Sequence, residues 1–228
     1  YILRAKADEG IRVYIDGKRV IDQWSDGDYR EQAVKVNIAD RANTATAEKD
    51  IHWIEVEYYE KSSEAKLEVL LEPFDQAFST SWVGEIYPNT SFEGQPYVIG
   101  GKNAIQTYQT INFNWGEFSP VSSVPTDNFS GRFKKKIAFE TGTYVFKAKN
   151  DEAVRVYLND KLVINSGPNE AGNEIQEAVF INSGEYTVTV EFMDTVSTSL
   201  LYFDYEKVSS NKIYFEKKPV IQYNWGNG

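Results

Sequence analysis

Residue types that could carry out chemistry are unevenly represented in this chain. Cysteine is absent from the 228 residues, which excludes a disulfide framework, thiol catalysis and cysteine-ligated zinc or iron–sulfur sites. His52 is the only histidine, so a metal site with two histidine ligands is excluded too, and we interpret His52 as an ordinary strand residue. Asp and Glu number 34, and this composition permits the pair of carboxylates that glycosidases use.

Catalysis nevertheless has little support in the sequence. The acidic residues are scattered through predicted strands and turns of small repeated units. The chain contains no Gly-x-Ser-x-Gly nucleophile elbow and no phosphate-binding glycine loop followed by lysine. We therefore predict a protein that is not an enzyme and has no catalytic residues.

Two acidic pairs stand out because the chain repeats their surroundings. Asp8-Glu9 lies at the start of ADEGIRVYIDGKRVIDQW, and Asp151-Glu152 lies at the start of NDEAVRVYLNDKLVINSG. Both segments then share Arg-Val-Tyr, a lysine after a turn and Val-Ile, all in register. One interpretation of each aspartate is a turn residue, which accepts hydrogen bonds from nearby backbone amides and fixes the entry to the strand.

The elements that must position these residues are strands. IRVYIDGKRVI alternates around an Asp-Gly turn and VRVYLNDKLVI alternates around Asn-Asp, which predicts two hairpins. HWIEVEYYE and YTVTVEFMD alternate in the same way, and no segment has the pattern of a capped helix. Aromatic residues make up 14% of the chain and suit a pleated surface. These features predict an all-β fold of antiparallel β-sandwich modules.

The repetition extends beyond one hairpin. Tyr14 corresponds to Tyr157 in the hairpins, whereas Leu67 corresponds to Leu201 in the later strands. The offset between the copies is smaller by nine at the second pair, so the first copy carries nine extra residues, which we place within residues 25–50. That stretch is polar and suits a surface loop, where insertions are tolerated.

The repeat divides the chain into four predicted regions. They are the later part of a first module (1–75), a linker (76–81), a complete second module (82–208), and a linker with the opening strand of a third module (209–228). The last prediction rests on IQYNWG at residues 221–226, which echoes INFNWG at residues 111–116. An alternative is that this tail adds to the incomplete first module as a β-strand. We expect the chain to be a piece of a larger protein.

Charge and hydropathy argue against two kinds of partner. The formal net charge is -10, and nucleic-acid binding needs a basic face. No run of 18 apolar residues occurs, and no basic stretch followed by an apolar one has the pattern of a signal peptide. We therefore expect neither nucleic acid nor membrane insertion.

Several short motifs occur in an order that resembles a known family. They include INFNWGEFSP, DNFSGRF and GTYVFKAKNDEAVRVYLNDKLVI. This order is similar to that of the protective-antigen (PA-fourteen) domain over residues 82–208, and the later half of the same pattern fits residues 1–75. The resemblance implies a β-sandwich module, usually extracellular, of a kind found in bacterial surface proteins and toxins, in glycosidases and in fungal adhesins. Many such modules bind carbohydrate.

The resemblance also implies a calcium site. In the lectin-like members, two adjacent acidic residues joined by a cis peptide hold a calcium ion that ligates sugar hydroxyls, and the matching positions are Asp8-Glu9 and Asp151-Glu152. Calcium prefers six to eight oxygen ligands, which carboxylates can supply. The second acid is Glu here rather than Asp, and the loop that provides a further asparagine in the family has none in either copy. Asp194, which begins that loop in the second copy, completes the candidate ligand-binding set.

Two classes of function follow from these residues and the resemblance. The first is a carbohydrate-binding module, recognising a glycan or cell-wall polysaccharide, in an extracellular or cell-surface protein. The second is a structural spacer or protein-binding module in a surface stalk or a toxin-like protein. A shallow polar and aromatic pocket beside an acidic pair would favour the first class.

Overall fold

The predicted strands are present in a computed structural model, which describes residues 1–38, 51–61, 64–167 and 171–209. These ranges contain sixteen strands and one helix of four residues. The predicted all-β fold is therefore confirmed. Within the described ranges, no helix has the length and apolar character needed to span a membrane.

The first module forms two small antiparallel sheets. Its strands are β1 (Ile2–Ala7), β2 (Ile11–Ile15), β3 (Lys18–Gln23), β4 (Arg30–Lys35), β5 (Ile54–Tyr58) and β6 (Leu67–Glu72). One sheet has the order β3-β2-β5, and the other strands follow the order β4-β1-β6. A short helix, α1 (Phe74–Ala77), leads towards the second module.

The second module forms a fuller sandwich. Its strands are β7 (Val83–Tyr87), β8 (Tyr97–Gly100), β9 (Ile111–Gly116), β10 (Phe129–Phe139), β11 (Gly142–Asn150), β12 (Ala153–Leu158), β13 (Lys161–Asn165), β14 (Ile175–Ile181), β15 (Gly184–Asp194) and β16 (Ser199–Lys207). The orders are β13-β12-β15-β10-β7-β8 in one sheet and β14-β11-β16-β9 in the other. The INFNWG segment thus pairs inside the sandwich, as β9 on β16.

Both hairpins turn through residues with positive φ. Asp16 and Gly17 have φ of 49° and 77°, and Asn159 and Asp160 have φ of 46° and 64°. Two consecutive residues in this left-handed region suit the twist of a two-residue hairpin, and Asn, Asp and Gly are the residues that tolerate it. The turn chemistry that the sequence predicted is therefore present in both copies.

The strand pairing confirms the repeat and locates its insertion. Ala5 pairs with Val69 in the first module and Ala148 pairs with Phe203 in the second, which reproduces both offsets of the repeat. Gln32 on β4 pairs with Ala5, and Ile175 on β14 pairs with Ala148. Gln32 and Ile175 are thus counterparts, and they are separated by the larger of the two offsets. The nine extra residues consequently lie between β4 and β5, mostly outside the described residues.

Alternation along the strands builds an aromatic core in the second module. On β15, Val190 and Phe192 are at most 1% exposed. Trp115 on β9 stacks on Phe192 with ring centroids 5.5 Å apart, and Phe113 stacks on Phe133 at 5.1 Å. Burying side chains of this size stabilises the fold by about 1.5–3 kcal/mol each.

The two modules share one sheet. β4 of the first module pairs with β8 of the second, so β4-β1-β6 continues the larger sheet of the second module into a nine-stranded one. Ile2 and Ala33 pack there with Phe78, Val83 and Val98 in a common apolar cluster. The junction is therefore a packed interface between the modules.

A buried arginine crosses this junction. Arg4 is fully buried, and its Nε and Nη1 atoms donate to Glu72 Oε1 and Glu31 Oε1, each at 2.6 Å. Its Nη2 atom donates to the carbonyl of Gly100 in the second module at 2.8 Å. Because guanidinium groups offer donors in a fixed planar fork, Arg4 satisfies partners on three strands at once.

The two acidic partners of Arg4 also contact the second module. Glu72 Oε2 accepts a hydrogen bond of 2.6 Å from Asn103 Nδ2, and Glu31 Oε2 accepts one of 2.8 Å from the backbone N of Ile105. Every oxygen of both carboxylates is therefore hydrogen-bonded. A buried ion pair is stable only when its remaining donors and acceptors are satisfied in this way.

Candidate functional site

The acidic pair of the second module holds a loop in place. Glu152 accepts hydrogen bonds from the backbone N atoms of Thr195 at 2.6 Å and Val196 at 3.1 Å, and from the Thr195 hydroxyl. Asp151 accepts weaker ones from the backbone N of Leu200 at 3.4 Å and from Thr198 Oγ1 at 3.5 Å. The pair thus ties the end of β11 to the β15–β16 loop.

The first module uses its aspartate in the same way. Asp8 Oδ1 accepts a hydrogen bond of 3.2 Å from the backbone N of Lys66, the counterpart of Leu200, and one of 2.8 Å from the Tyr58 hydroxyl. Desolvation alone would raise the pKa of Asp8, but these hydrogen bonds outweigh it and lower the pKa. Glu9 is buried, and its Oε2 atom has no hydrogen-bond partner among the described residues.

Asp194 is the most unusual of the candidate residues. It is fully buried, and neither carboxylate oxygen has a hydrogen-bond partner among the described residues; the same is true of the nearby Ser199 Oγ. Burial, and then the negative charges of Glu152, Asp151 and Asp127, raise the pKa of Asp194 to about 7. Its side chain is therefore partly protonated at neutral pH.

The carboxylates of the acidic pair in the second module accept hydrogen bonds that hold a loop in place. Glu152 and Asp151 bind different segments of one loop, and every peptide bond in the described residues is trans. Among the described residues, no three His, Asp or Glu side chains are grouped so that they could hold a metal ion. The arrangement does not fit a calcium cage built on the pair. Among the candidate residues that the structure describes, Asp194 and Glu9 Oε2 keep unused acceptor capacity.

His52 lies two residues before β5 rather than within a strand. Its Nδ1 atom is 2.7 Å from Asp16 Oδ2, and Asp16 Oδ1 accepts a hydrogen bond of 3.0 Å from the backbone N of Trp53. The prediction that His52 lies within a strand was therefore wrong. The side chain holds the β2–β3 turn against the start of β5.

A shallow hollow lies beside the Asp151 end of the four-stranded sheet. Its volume is about 290 Å³, and it is lined by Asn112, Phe113, Asn114, Lys149, Glu174, Leu200 and Tyr202. Tyr202 on β16 pairs with Lys149 on β11 and with Asn112 on β9, which places these side chains in one row across three strands. Leu200, which the Asp151 carboxylate holds, forms part of the wall.

The chemistry of the hollow combines two aromatic residues, Phe113 and Tyr202, with several polar groups. Asn112 and Asn114 can donate and accept hydrogen bonds, Lys149 donates and Glu174 accepts. Burial, and then the charges of Asp204 and Glu174, raise the pKa of the Tyr202 hydroxyl, so it stays protonated as a donor at neutral pH. A ring beside hydrogen-bonding side chains can bind a ligand with one apolar face and a polar rim.

The first module does not repeat this hollow. The positions corresponding to Lys149 and Tyr202 are Lys6 and Glu68, whose side chains form an ion pair of 2.8 Å. The aromatic ring is therefore replaced by a carboxylate that neutralises the lysine. This contrast makes the hollow a feature of the second module.

A larger groove of about 740 Å³ lies between the β2–β3 hairpin and the segment after β7. Two of its charged side chains are already engaged, since Lys35 forms an ion pair of 2.8 Å with Glu85 and Asp16 contacts His52. We therefore base the functional proposal on the hollow, where side chains from neighbouring strands converge.

Sequence reasoning identified the acidic pairs and missed the hollow. The available signal was the alternation in INFNWG and SLLYFDY, which turns Asn112, Asn114 and Tyr202 away from the core. Pairing between β9, β11 and β16 then brings these residues together. That pairing joins residues far apart along the chain, so the sequence pattern of a single strand does not reveal it.

Fold and site together define a tandem of antiparallel β-sandwich modules with a polar and aromatic hollow on one sheet. The PA14 domain, the protective-antigen domain, matches residues 1–85 and residues 78–219. The chain belongs to the PA14 domain family. The resemblance seen in the sequence is therefore confirmed over both modules.

Individual relatives are similar to this chain at low identity. The anti-sigma-I factor RsgI3 of Acetivibrio thermocellus is 25% identical over 208 residues, which are 84% of this chain and 31% of that protein. This chain thus spans about a third of that relative. An anti-sigma factor domain-containing protein from Clostridium clariflavum has a TM-score of 0.49 and 16% identity over 91% of this chain and 74% of its own. The PA14 sugar-binding domain from an RTX adhesin has a TM-score of 0.43 and 14% identity, and the match covers 57% of this chain and 90% of that domain.

Proposed function

We propose that this chain is a non-catalytic glycan-binding part of a larger protein, exposed at the cell surface or secreted. The observation that carries the proposal is the hollow, in which Tyr202, Asn112 and Lys149 converge beside the loop that Asp151 holds. A pyranose ring has a C–H face that packs on an aromatic ring and hydroxyls that bind amide, ammonium and carboxylate groups. A glycan or cell-wall polysaccharide is the partner that this chemistry fits.

The relatives support this proposal in two ways. One PA14 structure carries the name of a sugar-binding domain from an adhesin. The relative from Acetivibrio thermocellus is an anti-sigma-I factor, a regulatory protein. In a protein of that kind, glycan binding by the modules would act as the input to regulation.

Binding should depend on Tyr202. On a glycan array that includes cell-wall polysaccharides, we expect the unmodified chain to retain a defined set of glycans. Tyr202→Ala should weaken retention about ten-fold, because the stacking surface is lost. Phe180→Ala is the matched control, since Phe180 lies on β14 of the same sheet and is 67% exposed outside the hollow. Absence of glycan retention by the folded chain would refute the proposal.

The alternative function is a rigid spacer in a surface stalk. The nine-stranded sheet and the Arg4 cluster favour it, because they fix the two modules against each other. A spacer needs no ligand on the β9–β11–β16 face, so glycan retention lost in Tyr202→Ala and kept in Phe180→Ala separates the two functions. We place both functions outside the cell.

Calcium is tested separately at the acidic pair. We expect Asp151→Ala to lower the free energy of unfolding by about 1 kcal/mol without calcium, because two weak hydrogen bonds to the loop are lost. Calcium binding to the native state would raise the melting temperature of the unmodified chain, and this rise should vanish in Asp151→Ala. Asp8→Ala is the corresponding test for calcium binding in the first module. If calcium leaves the melting temperature of the unmodified chain unchanged, Asp151 holds the loop and does not bind calcium.

A further inference from the structure

A further cavity lies at the junction of the two modules. This cleft has a volume of about 340 Å³. Tyr29, in the loop before β4, lines it from the first module, and Gln106, Tyr108 and Pro120 line it from the second. All four residues lie within the described ranges, whereas the predicted opening strand of a third module, residues 221–226, lies outside them. The walls of the cleft therefore come from both modules.

The Arg4 cluster holds these walls at a fixed distance from each other. Glu31 lines the cleft and accepts a hydrogen bond of 2.8 Å from the backbone N of Ile105. Arg4 Nη2 donates to the carbonyl of Gly100 on the opposite module. The Tyr108 ring packs against Gly100, where a Cβ atom would lie 2.6 Å from Tyr108 Cδ2. The cleft is therefore formed by folding, and a ligand does not have to order it.

The cleft offers aromatic rings and neutral polar groups to a ligand. Tyr29 is 40% exposed, and neither its side chain nor that of Gln106 makes a hydrogen bond, ion pair or ring contact with another described residue. Burial, and then the charge of Glu31, raise the pKa of the Tyr108 hydroxyl, so it stays protonated as a donor at neutral pH. Both oxygens of Glu31 are already hydrogen-bonded, and the Arg30 guanidinium donates to backbone carbonyls of its own loop. This chemistry suits an uncharged sugar unit.

The cleft is adjacent to the hollow that carries the proposed function. Phe113 lines the hollow, and its ring centroid is 5.0 Å from that of Tyr108, which lines the cleft. Asn112 of the hollow is four residues beyond Tyr108, a separation of at most about 14 Å along the chain. Gln109 and Thr110, which lie between them, are polar and exposed. One extended ligand can therefore reach both cavities.

We infer that the cleft is a second subsite for the same glycan chain that binds in the hollow. The ligand is then a linear oligosaccharide with a neutral unit at the cleft, rather than a single terminal sugar. One unit binds in the hollow, the following units cross Gln109 and Thr110, and a later unit packs on Tyr29. The second contact is made within the same complex, so it adds affinity at a high effective concentration. This inference rests on the proposed function.

Calorimetric titration of the whole chain with oligosaccharides of increasing length tests the inference. The probes are di- to hexasaccharides from cellulose, xylan, mannan and chitin. In a series that binds, we expect affinity to rise about ten-fold from the shortest to the longest member, because only a long chain reaches the cleft. Tyr29→Ala should abolish this rise and leave the affinity of the shortest member unchanged. Tyr29→Phe should keep the rise, because the ring remains.

Trp53→Ala is the matched control for Tyr29→Ala. Trp53 is 78% exposed in the first module and lines neither cavity, so its loss should leave the rise intact. Tyr202→Ala should weaken binding of short and long members alike, because both occupy the hollow.

Three outcomes would overturn the inference while the proposed function stands. One is binding through Tyr202 with an affinity that does not depend on length. Another is a rise with length that Tyr29→Ala leaves intact. The third is an equal loss in Trp53→Ala. If the folded chain binds no probe of any length and nothing on the glycan array, the proposed function fails, and this inference fails with it.

Discussion

Replacing Arg4 with methionine is expected to lower the free energy of unfolding by about 3–5 kcal/mol. Glu72 is 4% exposed, and without Arg4 it and Glu31 would keep buried negative charge with no cation beside them. The Gly100 carbonyl would also lose its donor. For a chain of this size, the loss corresponds to a fall of roughly 6–20 °C in melting temperature, measurable by calorimetry.

The repeat supplies a matched control for Arg4. Lys147 is its counterpart in the second module, and it pairs at 3.0 Å with Glu206, the counterpart of Glu72. The Glu206 side chain is 39% exposed, so solvent screens the pair. Lys147→Met should therefore cost at most about 1 kcal/mol. Equal losses in the two variants would contradict the role of Arg4 at the junction.

Asp194→Asn is expected to stabilise the protein at pH 8 by about 2–4 kcal/mol and to leave stability nearly unchanged at pH 4. The folded pKa of about 7 lies above the ordinary value of 3.8, so the folded state binds more protons between these two values. Stability of the unmodified chain therefore falls as pH rises through this window, and the loss is complete above pH 7. The amide stays neutral and avoids the loss.

Urea unfolding of both proteins at several pH values measures this difference. The counterpart of Asp194 is Glu60, which accepts a hydrogen bond of 2.6 Å from the Tyr58 hydroxyl. Glu60→Gln is therefore the control and should show no comparable gain at pH 8. A gain from Asp194→Asn that is the same at pH 4 and pH 8 would show that the buried charge is not its cause.

Much of the fold was predictable because its causes are local in sequence. The Asp-Gly and Asn-Asp turns, the alternation in VRVYL and the offset between the copies predicted the hairpins and their strands. Turn chemistry and alternation of this kind can be predicted without tertiary information. The turn interpretation of Asp8 and Asp151 expected backbone partners nearby in sequence, whereas the backbone N atoms that these carboxylates bind belong to Lys66 and Leu200, 58 and 49 residues further along the chain.

The remaining features depend on contacts between distant residues. Arg4 is an inward-pointing charge in an apolar strand, and only the pairing of β4 with β8 supplies Gly100 and Asn103 around its cluster. Asp194 was a candidate ligand by position, yet its burial and raised pKa follow from packing of the loop around it. The hollow around Tyr202 likewise requires the register of three strands.

The shared sheet also has a consequence for the orientation of the hollow. A module on a flexible tether samples many orientations relative to its neighbour, and it loses that orientational entropy when one partner holds both. Here one sheet and the Arg4 cluster already fix the second module against the first on folding. The hollow of the second module therefore keeps one direction relative to the first module.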